Sequence, residues 1–113
     1  MKAKFKLSQL AAVDTVQKEL IHPKHGETGI FVTLAGPTHP TWKAALEEYN
    51  ASEEEQNIRG LKLFAGSILG WDEEAIELPY TTENVLALFK DDKHEWMARQ
   101  LTDAVLDNTT FFQ

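Results

Sequence analysis

The sequence predicts an α+β fold, predominantly α-helical, in which an N-terminal β-hairpin is followed by a bundle of about four helices. Three patterns carry this expectation. From Gly29 to Ala35 the residues Ile30, Val32 and Leu34 alternate with Phe31, Thr33 and Ala35, the period of a strand, and β-branched residues are among them. Trp42, Ala45, Leu46 and Tyr49, and later Ile58, Leu61, Phe64, Ala65, Ile68 and Leu69, recur at helical spacing. Trp96, Met97, Leu101, Ala104 and Val105 repeat that spacing towards the C-terminus. A chain of 113 residues fits a single domain, 1–113, with residues 1–36 as an arm and hairpin and residues 37–113 as a helical body.

The elements follow in order. Phe5, Leu7, Leu10 and Val13 pass from alternation to helical spacing, which reads as an extended arm leading into a short helical turn capped by Ser8. Thr15–Ile21 is of strand length. His22-Pro23-Lys24-His25-Gly26-Glu27-Thr28-Gly29 then forms a turn before the second strand. Because a lone two-stranded hairpin is marginal in water, it must rest on the helices, pair with a neighbouring subunit, or do both.

Gly36-Pro37-Thr38-His39-Pro40-Thr41 ends that strand and opens the first long helix, with Thr38 or Thr41 placed to cap it and Pro40 suited to a first helical position. Between the apolar stripes lies the polar stretch Asn50–Asn57. Ser52 followed by Glu55 matches a capping box, favouring a break and a second helix from about Glu53, although one helix could cross the gap solvated. The helical stripe then runs to Gly70, which reads as its terminator. Gly70-Trp71-Asp72 makes a corner, Pro79 keeps the chain extended, and Thr81 or Thr82 caps a helix over Val85–Phe89. Trp71 and Tyr80 bracket this corner. Asp91 or Asp92 is placed to cap the last helix, which ends at Asp107-Asn108-Thr109-Thr110. Phe111 and Phe112 follow; they either fold back on the core or offer an apolar contact to a partner.

Composition narrows the function. Eighteen acidic against eleven basic residues give a formal charge of -7, which repels phosphate backbones and anionic membranes and suits a basic partner. With no cysteine there is no disulfide, thiolate nucleophile or cysteine-based zinc site. The basic start at Lys2, Lys4 and Lys6 runs into Ser8, Gln9, Asp14 and Gln17 rather than an apolar stretch, so it does not read as a secretory signal, and the cytoplasm is the expected compartment.

Chemistry has no anchor in the chain. His22 and His25 sit in a turn without a nearby cluster of acidic ligands, and no metal is expected there. The carboxylates at Glu53–Glu55, Asp72–Glu74 and Asp91–Asp92 form contiguous runs at helix starts and loops, where the helix dipole and solvent account for them. Ser8, Ser52 and Ser67 lack a nucleophile-elbow context, and the glycines form neither a P-loop nor a dinucleotide fingerprint. No catalytic residue and no cofactor is expected. The candidate residues for protein binding are Trp71, Tyr80, Phe111 and Phe112.

The order of these features resembles the tail assembly chaperones of long-tailed bacteriophages. The resemblance rests on Gly29-Ile30-Phe31-Val32-Thr33-Leu34-Ala35-Gly36-Pro37-Thr38 with a helix just after it, on the Gly70-Trp71-Asp72 corner, and on Leu78-Pro79-Tyr80-Thr81-Thr82-Glu83-Asn84-Val85 leading into a helical end that closes on Phe111-Phe112. It spans most of the chain; the turn at His22–Gly26 departs from it. It implies a hairpin beside a mostly helical body and a non-catalytic role: binding the tape measure protein, keeping it soluble, and bringing tail tube protein to it. It further implies a protein of the host cytoplasm that is absent from the mature virion and able to form a homo-oligomer. Two other readings stand beside it. One is another small acidic binding module, such as a head-to-tail completion factor or an inhibitor of a basic host protein. The other is a small enzyme built on carboxylates and histidine, which requires His39 or His94 within hydrogen-bond reach of a buried carboxylate.

Overall fold

The structure, a computed structural model, describes residues 2–107 and 109–112; Met1, Asn108 and Gln113 lie outside the described residues, the predicted helix end at Asn108 among them. Strands β1 (Thr15–His22) and β2 (Gly26–Ala35) form the antiparallel hairpin. Helices α1 (Pro40–Ala51) and α2 (Gln56–Ala65) follow, then strand β3 (Ile68–Trp71), the short α3 (Glu73–Ile76), α4 (Thr82–Lys90) and α5 (Glu95–Leu106). The α+β class is as the sequence predicts, and the chain breaks between α1 and α2.

The hairpin is held by its turn chemistry. The imidazole Nδ1 of His22 accepts from the amides of Lys24 and His25 at 3.0 and 3.1 Å, which folds the chain back through the turn. Further along, the register shifts, with Thr28–Ile30 bulged opposite Leu20. Gly29 has φ 71 there, a left-handed conformation that a side chain resists, and its amide donates to the Glu19 carboxylate while the Thr28 hydroxyl donates to the Leu20 carbonyl at 2.6 Å. One face of the sheet carries Leu20, Val32 and Leu34 into the core, where they meet Ile68, Val85, Leu88, Met97, Leu101 and Phe111. The opposite face presents Thr15, Gln17 and Phe31 to solvent.

The largest departure from expectation is β3. The helical stripe was expected to continue through Leu69, but α2 ends at Ala65 and Ile68–Trp71 pairs with β2, giving a three-stranded antiparallel sheet in the order β1-β2-β3. The cause is local and tertiary together. Ser67, 1% exposed, turns its hydroxyl onto the Phe64 carbonyl at 2.5 Å and closes the last helical turn. Its own carbonyl then accepts from the Ala35 amide, which starts the pairing along an edge of β2 that would otherwise be bare. Gly70 is therefore a strand residue opposite Thr33 and not a helix terminator. The hairpin is consequently a pair within a larger sheet, and a strand from the 37–113 segment completes it.

Caps also differ in detail. Ser52 ends α1 rather than starting α2: its amide donates to Glu48, and its hydroxyl takes the Glu54 amide. Helix α2 begins at Gln56, three residues later than expected, without a side-chain cap. His39, rather than either threonine, caps α1, its Nδ1 accepting from the Thr41 amide with Pro40 in the first helical position. Ser8 does not cap the arm; Leu7–Gln9 is a 3-10 turn in which the Gln9 side chain accepts the Lys6 amide. Thr81 caps α4, as read from sequence. Asp91 caps a 3-10 turn at Asp92–His94 that precedes α5, whose own first turn has no side-chain cap.

No helix among the described residues is long and apolar enough to cross a membrane.

Candidate protein-binding corner

The corner after β3 is built from Asp72 to Thr81. Asp72 accepts the amides of Glu74 and Ala75 and so starts α3, an element the sequence reading did not anticipate. The helix stops after one turn at Glu77, whose φ of 68 reverses the chain. Leu78-Pro79-Tyr80 then leads through a bend at Leu78 to Thr81. The Glu73 carboxylate accepts the Tyr80 amide at 2.6 Å, and the Asn84 side chain donates to the Pro79 carbonyl, which fastens the loop at both ends.

Trp71 and Tyr80 meet inside this frame. Their rings pack edge to face, centroids 5.5 Å apart and planes at 89°, an arrangement favoured by the aromatic quadrupole. The Trp71 indole N–H donates to the Leu78 carbonyl at 2.9 Å. The Tyr80 hydroxyl donates to the Ile68 carbonyl at 2.6 Å, so the phenol covers a backbone acceptor of β3. Burial pushes the Tyr80 phenol up from its ordinary pKa, consistent with a hydroxyl kept neutral as a donor. Beside Tyr80 a groove of about 370 Å³ opens between α1, α2, β3 and α4, walled by Thr41, Ala45, Gly66, Tyr80, Val85 and Leu86.

The other two candidates separate. Phe111 is 4% exposed and belongs to the core, whereas Phe112 is 53% exposed. The structure thus joins Trp71 to Tyr80, buries Phe111 and leaves Phe112 outside. Of the two alternatives raised for the terminal phenylalanines, Phe111 takes the first and folds back on the core.

The histidines take structural places. The ring of His22 stacks on His25 at 4.8 Å and meets the edge of Trp96 at 5.1 Å, an aromatic cluster that binds the hairpin tip to α5. With Nδ1 of His22 already accepting two amides, that atom is not free for a metal, and no group of three or more metal-ligating side chains occurs among the described residues. Sequence spacing did not reveal this cluster, nor the clamp by which Gln100 both accepts the Ile21 amide and donates to the Ile21 carbonyl. That clamp places a side-chain amide where a neighbouring strand would pair, which blunts the β1 edge.

His94 does contact a carboxylate. Its Nδ1 lies 2.8 Å from Asp91 Oδ2, but the two side chains are 46% and 40% exposed, so the buried carboxylate that an enzymatic reading requires is not there. The pair instead holds the turn before α5. The His94 hydrogen bond, followed by that from the Lys93 amide, keeps the Asp91 carboxyl below the usual range. A lowered folded-state pKa means that the contribution is present above the ordinary carboxylate pKa of about 3.9 and is lost as pH falls through the lower folded value. Carboxyl-detected NMR is expected to place the Asp91 midpoint below about 3.9, and His94→Ala to move it back towards that value.

No protein-family model matches the chain, and comparisons with curated proteins and with solved structures find no match.

Proposed function

We propose that this protein is a non-catalytic tail assembly chaperone of a long-tailed bacteriophage or prophage, which binds the tape measure protein, keeps it soluble and promotes assembly of tail tube protein around it. The observation that supports this most directly is the groove beside Tyr80, an open, largely apolar channel between helices on a strongly acidic protein. A long helical client exposes apolar stripes that need temporary cover. The groove offers apolar walls at Ala45, Val85 and Leu86 with polar groups of Thr41, Glu48 and Lys62 at its margin, and the net charge of -7 opposes aggregation of the complex. In this reading Trp71 shapes the groove from behind by bracing Tyr80, and the protein acts in the host cytoplasm and leaves before the virion is complete.

The test is coexpression with the tape measure product of the same genome followed by size exclusion. The expected result is a shared peak and an increased soluble fraction of the client. Two independent peaks with no rescue of solubility would overturn the proposal. Gene order gives an independent check, since a chaperone gene is expected between the tube and tape measure genes.

A further inference from the structure

Residues 1–13 hold three of the eleven basic residues and none of the eighteen acidic ones. Within this segment Lys2, Lys4 and Lys6 alternate with Ala3, Phe5 and Leu7, so an extended backbone would carry ammonium groups on one side and apolar side chains on the other. In the folded chain, where Leu7 opens the 3-10 turn Leu7–Gln9, the apolar residues of the arm have no cover: Phe5 is 54%, Leu7 86% and Leu10 50% exposed. Among the described residues, the first backbone bond tying the arm to the body is that from the Val13 amide to the Phe111 carbonyl. The molecule has a radius of gyration of 15.6 Å, where a compact domain of this length has about 13 Å.

A complementary site exists on the body. Between α2 and α5 lies an open groove of about 330 Å³ with Leu61, Phe64, Phe89 and Ala98 in its lining. Gly60 also lines it. A glycine inside a helix is unfavourable relative to alanine, and a Cβ at Gly60 would meet no atom within 4 Å. Internal packing therefore does not require glycine there, but an apolar side chain entering from outside would use the space. The charged residues in its lining are Glu95, Arg99 and Asp103; Glu95 and Arg99 pair with each other at 2.5 Å, and Asp103 has no ion pair among the described residues.

We infer that the N-terminal arm of one copy docks in the α2–α5 groove of a second copy, with Phe5 and Leu7 entering over Gly60 and Lys4 or Lys6 meeting Asp103. A second copy is the occupant that the charge division selects, because each chain supplies both a basic apolar arm and, on a body that holds all eighteen acidic residues, a groove whose one unpaired charge among the described residues is the Asp103 carboxylate. The contact works through burial of the two apolar side chains, with the lysines setting orientation, and it is independent of any client.

Sedimentation velocity on the full chain between about 10 and 500 μM tests this. Native protein is expected to self-associate, more weakly as salt rises from about 0.05 to 0.5 M. The double variant Phe5→Asp, Leu7→Asp changes only exposed positions and is expected to remain folded and monomeric. Gly60→Leu, which fills the groove from within, is expected to raise Tm by about 3–5 °C yet weaken association at least about tenfold. Mixing the two variants is the decisive arm, since one retains a working groove and the other a working arm: a 1:1 complex is expected where neither variant associates alone. A native chain that stays monomeric throughout, association that survives both sets of substitutions, or a mixture that fails to restore it overturns the inference. Protection of the arm from proteolysis in a strictly monomeric protein would also overturn it, because the arm would then be docked within its own chain.

Discussion

Phe111→Ala is expected to cost about 3–5 kcal/mol of stability, the range for truncating a buried aromatic side chain. A domain of this size has roughly 5–15 kcal/mol in total, so the variant loses a large part of it. The reason is the place where Phe111 sits. Its ring is 4% exposed among Leu34, Leu101 and the rest of the core, and its carbonyl accepts the Val13 amide at 2.7 Å just before β1 begins. It also lies against Gly36, where a Cβ would stand 2.9 Å from the Phe111 ring and 2.8 Å from the Val13 carbonyl oxygen. The tail after α5 is thus pressed onto the junction between the arm, the end of β2 and the approach to α1. Removing the ring opens a cavity at that junction and loosens three segments that are distant in sequence. Phe112→Ala is the control, since a residue 53% exposed is expected to change stability by less than about 0.5 kcal/mol. Urea denaturation of the two variants checks both. Equal effects, or a Phe111 loss below about 1 kcal/mol, would mean that the tail is not seated as described.

The contrast between these adjacent phenylalanines shows what the sequence could and could not convey. Both are apolar residues near a chain terminus, and nothing in their spacing distinguishes the one that turns inwards. Long periodic segments were readable because a single face repeats many times: α1, α4 and α5 lie where helical spacing places them, and β2 contains the alternating run Gly29–Ala35 but begins at Gly26, inside the expected turn, because Gly26 and Glu27 pair with His22 and Ile21. Strand β3 was hidden for the opposite reason. Ile68-Leu69-Gly70-Trp71 is too short to display a period of two, its apolar residues also extend the stripe of α2, and what decides between the two is pairing with Thr33 and Leu34 more than thirty residues earlier. The helix α3 was hidden by its length, although Asp72 followed by Glu73 and Glu74 is the signal that could have shown it. At the candidate site, aromatic spacing brought Trp71 and Tyr80 to notice, and the edge-to-face contact joins them. The walls of the groove beside them were not legible, because they come from four elements whose packing no local pattern records. The same holds for Gln100 on Ile21, a contact across 79 residues.

Trp71→Ala is the second large effect, expected at about 2–4 kcal/mol. A fully buried indole would place it at the top of the aromatic range, but Trp71 is only partly buried at the rim of the sheet, which lowers the packing component. Two further losses add to it. The Leu78 carbonyl loses its donor at 2.9 Å, and the Tyr80 ring loses the surface it packs against edge-on. Tyr80 in turn holds the Ile68 carbonyl, so the truncation loosens β3 at both of its ends. Trp71→Phe separates these contributions in part: it keeps an aromatic ring against Tyr80 while removing the indole donor and the volume of the second ring, with an expected cost of about 1–2 kcal/mol. On the proposed chaperone function, and if Trp71 acts by bracing, client binding by the phenylalanine variant should remain near that of the native protein, while the alanine variant loses binding in proportion to its loss of stability and recovers it at lower temperature. An alanine variant as stable as the native chain that still failed to retain the client would place the indole in direct contact with the partner. In that event the binding surface would extend from the groove onto the outer side of the corner, and Trp71 would be part of it rather than its support.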